Sequence, residues 1–223
     1  MDKSQQVIVL HGLGRSRRNM EKIAKRLECD GYRVLNLSYR GVVDSYEKSL
    51  EDLNQQIAEW INTEQKIHFV GHSFGGILTR GLLAKNPNWN QGRVVMLGTP
   101  NKGTKTASYM LAQWWCKAFL PKVTKDLKPD SSLILTLPEP INETGVIAGS
   151  INNHILIPLS WFYKTATNDA PGDGIVEIAN TKIKQMKDFI TMPVHHSFMP
   201  SNKKVVNEVA NFLAQGEFSQ DYK

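Results

Sequence analysis

The run Ile67 to Gly76, IHFVGHSFGG, constrains the fold of this chain more than any other stretch. Ile67, Phe69 and Val70 form a short apolar run suited to a strand covered on both faces, and Gly71 to Gly75 then spell G-x-S-x-G around Ser73. A serine held at a strained turn above a sheet needs neighbours without Cβ atoms, because the incoming strand and outgoing helix approach closely there. Such a turn presents the Ser73 hydroxyl at a helix N-terminus and aims the Phe74 amide at wherever negative charge develops. That arrangement suits a nucleophile. The plain alternative is a Gly-rich strand-to-helix turn carrying a surface serine, and the rest of the chain has to decide between the two.

On either side of this stretch, strand and helix signals alternate. Val7 to Leu10 is a continuous apolar run of the kind found in a central parallel strand, and it ends in the Gly-rich loop His11, Gly12, Leu13, Gly14. Ser16 is placed to cap a helix bearing Met20, Ile23, Ala24 and Leu27, with Gly31 as its stop. A second strand lies within Tyr32 to Tyr39. Asp44 and Glu47 have capping-box spacing ahead of a helix whose apolar face is Leu50, Leu53, Ile57, Trp60 and Ile61. The helix after Ser73 should end near Asn86, before Pro87, and Val94 to Leu97 makes a fourth strand that opens into Gly98, Thr99 and Pro100. This order predicts an α/β fold with a parallel sheet, helices on both faces and a ligand site at the carboxyl ends of the strands. A length of 223 residues suits one such domain, spanning residues 1–223.

From Thr104 to Leu137 the alternation breaks. Ala107, Met110, Leu111, Trp114 and Ala118 fall at helical spacing, but Tyr109, Trp115, Phe119 and Leu120 make the segment apolar beyond one face. It is either a core helix or a cap over the site whose apolar side meets substrate. Ser131 to Leu137 predicts a further helix, closed by Pro138 and Pro140. Val146 to Ala148 is a fifth strand, NDAPGDG at 168–174 a turn, Phe189 to Val194 a sixth strand, and Asn202 to Leu213 a terminal amphipathic helix.

Composition narrows the function classes. No apolar run approaches the roughly 18 residues of a membrane span, and the N-terminus lacks the apolar core of a signal peptide, so a cytoplasmic address is expected. The net charge of +6 is compatible with acidic partners or transient contact with a membrane surface. Arg15, Arg17, Arg18, Lys22, Lys25 and Arg26 cluster without aromatic interleaving, which reads as a solvated helix face, and no nucleic-acid partner is expected. Cys29 and Cys116 are taken as free thiols. His68 and His154 read as structural, no metal-ligand spacing emerges, and neither metal nor cofactor is expected.

A serine hydroxyl needs a base, and the base an orienting carboxylate. Asp173 lies in the turn-rich loop after the fifth strand, and His195 and His196 follow the sixth. The chain order Ser, Asp, His, each at a strand end, is that of the nucleophile-elbow hydrolases. His11 and His72 flank the same loops, and Trp114 and Trp115 are candidates for an apolar substrate pocket.

The stretches VIVLHGLG, VGHSFGG, MLGTPNKGT, DLKPDS, PGDGIV and HHSF, spread from Val7 almost to the C-terminus, give the chain a resemblance to the α/β-hydrolase superfamily and its small lipases and esterases. The resemblance implies a minimal fold of about six parallel strands, without the two N-terminal antiparallel strands of the full form, and a helical cap at 104–137. It implies that the amides of Leu13 and Phe74 form the oxyanion hole. It also favours Asp173 over Asp169 as the acid and His196 over His195 as the base. The implied activity is carboxylic-ester hydrolysis through an acyl-enzyme on a small-molecule or lipid ester. An acyltransferase or thioesterase with the same triad is the nearer rival, and a non-catalytic binding protein the farther one.

Overall fold

Six strands alternate with helices along the chain in a computed structural model that describes residues 5–89, 92–117, 120–152 and 158–219. The strands are β1 (Gln6–Leu10), β2 (Arg33–Leu37), β3 (Ile67–His72), β4 (Val94–Leu97), β5 (Thr144–Gly149) and β6 (Met186–Met192). The first four helices are α1 (Glu21–Cys29), α2 (Tyr46–Trp60), α3 (Phe74–Lys85) and α4 (Lys105–Ala112), followed by the short α5 (Trp114–Lys117) and α6 (Ser132–Thr136). After β5 come α7 (Pro158–Thr167) and α8 (Ile178–Thr181), and after β6 comes α9 (Lys203–Gln215).

All pairings are parallel and the sheet order is β2-β1-β3-β4-β5-β6. The chain starts one strand in from an edge, winds outward to the edge strand β2, then crosses back over β1 to β3 and continues in the other direction. The reversal falls between β1 and β3, so the loops after these two strands open a crevice at their carboxyl ends.

Period-two alternation under two covered faces explains why the central strands place apolar residues on both sides of the sheet. Ile8, Leu10, Phe69 and Met96 point into one core with Leu53 and Ile57 of α2 and Ile77 and Leu82 of α3. Val7, Val9, Val70 and Leu97 point into the other, with Ile23 and Leu27 of α1 and Val205, Val209 and Phe212 of α9. Truncating a side chain such as Phe69 to alanine in so enclosed a layer costs about 3–5 kcal/mol.

Several boundaries differ from the sequence reading for physical reasons. The cap of α2 is Ser45, whose hydroxyl accepts the Lys48 amide at 3.3 Å, while Asp44 belongs to the preceding turn through its amide bond to Arg40. Ser16 precedes a 3₁₀ turn, Arg17–Met20, without a side-chain cap bond. β5 and β6 pair with each other over more residues than their apolar cores announce. Helices α7 and α8 carry no clear periodic signal. The terminal helix is capped as its ends suggest: Asn202 Oδ1 accepts from the Lys204 and Val205 amides, and Gly216 takes φ 82° at its C-terminus. Cys29 is an exposed free thiol. His154, Ala118 and Phe119 lie outside the described residues. No described helix is long and apolar enough to cross a membrane.

Candidate active site

β3 ends in a strained residue. Ser73 has φ 54° and ψ −122°, a left-handed backbone in a non-glycine residue, which costs on the order of 1–3 kcal/mol and persists only where the surroundings enforce it. Here the Ser73 amide donates to Leu97 O at 2.8 Å, and its carbonyl accepts from Gly76 at 3.0 Å. The flanking glycines have no room for a side chain. A Cβ on Gly71 would lie 2.6 Å from Gly76 Cα, and one on Gly75 would lie 2.5 Å from both the Leu10 and His11 carbonyl oxygens. Close passage of α3 across β1 and β3 therefore sets the motif.

Asp173 and His196 meet beside this turn although they come from separate loops. Asp173 is fully buried; its Oδ1 accepts from the Ile175 and Val176 amides at 3.1 and 2.8 Å, and its Oδ2 accepts from His196 Nδ1 at 2.7 Å. The backbone ties the same two loops together, since the His196 amide donates to Asp173 O at 2.9 Å. With its proton assigned to Nδ1 by that bond, the imidazole keeps a lone pair on Nε2. Ser73 and His196 both line one cavity of about 360 Å³. Among the described residues no hydrogen bond joins Ser73 Oγ to His196.

The neighbouring alternatives are engaged elsewhere. Asp169 Oδ1 accepts from Asn152 at 2.9 Å. His195 Nδ1 accepts from the Ser197 amide at 3.2 Å and caps the turn that carries His196. His11 does not line the cavity. It stacks flat on Tyr39 at 4.2 Å, donates from Nδ1 to Gly12 O, and accepts the Tyr39 amide on Nε2; burial lowers its pKa. His72 does line the cavity. Burial and the neighbouring His196 push its pKa well down, its Nε2 donates to the His196 carbonyl at 3.1 Å, and its Nδ1 is buried without a partner.

Two further backbone amides lie beside Ser73 or the cavity. Leu13 lines the cavity, Phe74 is the first residue of α3, and neither backbone N–H is bonded among the described residues. The apolar wall comes from segment 104–137: Ala107, Met110, Leu120, Pro121 and Leu127 face the cavity with Ile175. Trp114 and Trp115 are not part of that wall, being 85% and 48% exposed. The segment is thus a broken chain of short helices over the site, and its most conspicuous aromatics point away from it.

Sequence reasoning passed over two contributors. Gly98, at φ 52°, lies so close to the Asp173–His196 pair that a Cβ would be 2.8 Å from Asp173 Oδ2 and 3.0 Å from His196 Nδ1. Arg80 is a buried cation on α3 that donates to the carbonyls of Asn101, Leu137 and Pro138. A lone arginine within the apolar run ILTRGLL was the available signal. A larger cavity, about 600 Å³ and lined by His68, Arg93 and Glu143, sits at the amino ends of the strands, at the opposite edge of the sheet from Ser73.

Comparison with known proteins follows from this geometry. The mature lipase BlEst2 of Bacillus licheniformis superposes with a TM-score of 0.72 at 17% identity, over 97% of this chain and 93% of that one. The metagenomic carboxyl esterase MGS0156 gives 0.67 at 15% identity, over 88% and 65%. The esterase EaEST of Exiguobacterium antarcticum gives 0.61 at 13%, over 95% and 92%. Such identities speak for the α/β-hydrolase fold alone. No curated protein matches the chain by sequence. The model of the palmitoyl protein thioesterase family matches residues 6–158, more than half of the 223, a span that includes Ser73 and ends before Asp173 and His196. On that match, the chain belongs to the palmitoyl protein thioesterase family.

Proposed function

We propose that this chain is a serine hydrolase of fatty acyl esters, thioesters included. The observation that carries the reading is the buried 2.7 Å bond from His196 Nδ1 to Asp173 Oδ2, made at the cavity that also holds the strained Ser73. In this reading His196 Nε2 takes the Ser73 proton as Oγ attacks the acyl carbonyl. Asp173 holds the tautomer and balances the imidazolium. The Leu13 and Phe74 amides donate to the oxyanion, each donor worth roughly 2.7–4 kcal/mol in comparable sites. Collapse expels an alcohol, protonated by His196, or a thiol; water then attacks the acyl-serine by the same route. The apolar wall of Ala107, Met110 and Leu127 supports an aliphatic acyl group over a polar one. Family membership supports including thioesters.

The test is turnover of p-nitrophenyl esters and acyl thioesters of increasing chain length, with wild type beside Ser73→Ala. The expected outcome is serine-dependent hydrolysis and fluorophosphonate labelling confined to Ser73, with Asp173→Asn slower by about 10⁴-fold. Full activity in folded Ser73→Ala protein would sink the assignment. Absence of both turnover and labelling in wild type would leave a binding protein that shares the fold.

A further inference from the structure

The outer side of the site's helical cover has an unusual surface. Trp114, Trp115 and Trp161 are 85%, 48% and 59% exposed, and α4 and α7 pack side by side. Phe162, itself buried, is the hub of the cluster: its ring lies 5.8 Å from Trp115, 5.2 Å from Trp161 and 6.0 Å from Tyr109. On α4 the helical turn separates two faces. Ala107 and Met110 wall the cavity, while Lys105, Tyr109 and Ala112 fall on another face, with Lys105 and Ala112 exposed. A single helix thus stands between the catalytic cavity and an exposed aromatic patch.

Lys105 on α4 and Lys164 on α7 are exposed on the two helices that carry the patch. From 102 to 125 the sequence holds five lysines and no acid before Asp126, and from 158 to 168 it holds Lys164 and no acid before Asp169. Lys164 lies three residues beyond Trp161, one turn along the same face of α7, and both are exposed. Exposed tryptophans accompanied by Lys105 and Lys164 match the interface of an anionic bilayer, where indole rings sit at headgroup depth and ammonium groups meet lipid phosphates. A second copy of the chain is a poorer occupant, because a two-fold contact would set this lysine-rich face against itself.

We propose that the α4–α5–α7 face docks on an anionic lipid bilayer surface, peripherally and without crossing it. The purpose, delivery of a membrane-held acyl chain across α4 to Ser73, rests on the hydrolase reading; the docking itself does not. The test is therefore made on full-length Ser73→Ala protein, by co-sedimentation with phosphatidylcholine vesicles with and without phosphatidylserine. Binding is expected to require phosphatidylserine and to weaken about tenfold or more in Trp114→Ser or Trp161→Ser. Lys105→Gln and Lys164→Gln should each cost about fivefold at low salt. With Ser73 intact, Trp161→Ser should leave hydrolysis of a water-soluble short-chain ester unchanged. Failure of wild type and Ser73→Ala alike to bind either vesicle would overturn the proposal, as would undiminished binding by both tryptophan variants. Tryptophan-dependent self-association without vesicle binding would assign the face to a second copy instead.

Discussion

Gly98 shows how little space Asp173 and His196 leave around themselves. Its positive φ already disfavours a side chain, by about 1–2 kcal/mol, and its missing Cβ keeps 2.8 Å clear of Asp173 Oδ2. Gly98→Ala should therefore lower kcat by about 10²-fold, because a shift of roughly 1 Å in the imidazole misaligns its proton transfer. Gly31→Ala is the control, since Gly31 also has positive φ, 92°, but nothing within 4 Å of the added methyl; it should lose stability and keep kcat. Wild-type kcat in Gly98→Ala would refute the steric argument. At this scale Ser73 was legible because its glycines answer a steric demand that sequence spacing records. The two adjacent histidines were not separable by spacing, and only the direction of the ring shows that His196, not His195, bonds Asp173. Trp114 and Trp115 could not be placed either, because a segment apolar on all sides does not say which side faces the cavity.

β3 carries a cost of its own in two buried histidines on the face it shares with Val70. His68 donates from Nε2 to Gln5 Oε1 and accepts the Arg93 amide on Nδ1, so it is held neutral. Burial, with Arg93 and Lys66 adding repulsion, brings its pKa down to about 4. The unfolded chain, with an ordinary histidine near 6.5, then binds the proton more readily than the folded one. The stabilising contribution is complete above about pH 6.5 and is lost as pH falls toward 4, and His72 shifts in the same direction. Urea unfolding at pH 7 and about 4.5 should show wild type losing about 2–3 kcal/mol more than His68→Asn, whose amide oxygen can still accept from Arg93. Equal losses would mean that His68 is charged in the folded protein. Elements were legible in proportion to their own periodicity. β1 has the apolar run Val7 to Leu10, β3 has Ile67, Phe69 and Val70, and β4 is VVML, whereas α7 reads PLSWFYKTAT, with aromatic and β-branched residues of weak helix propensity, and is held by packing against α4.

For the molecule as a whole, strand–helix alternation implied the parallel sheet and the edge where the site lies, since few topologies obey right-handed crossover. How segment 104–137 is anchored was not legible, because its anchor bonds to backbone carbonyls, which every residue has. The anchor is Arg80. From within α3, the helix that follows Ser73, its guanidinium reaches Asn101 O at 3.0 Å before the segment and Pro138 O at 3.1 Å, together with Leu137 O, at its far end. A planar fork of donors suits three carbonyls in a way a lysine ammonium does not. Arg80→Leu should cost about 3 kcal/mol or more, since each buried carbonyl left unpaired carries a penalty of roughly 1–3 kcal/mol. Arg80→Lys should recover only part of it. Hydrogen exchange should then lose protection at 101–104 and 133–138 before it does in β1, and KM for long acyl chains should rise more than kcat falls for short ones. That split follows from position: Ala107, Met110 and Leu127 belong to the loosened wall, whereas Ser73, Asp173 and His196 are held by β3, β5 and β6 and their loops. Uniform loss of protection across the sheet would instead make Arg80 a support of the core, and the cover over Ser73 would be anchored by its own packing alone.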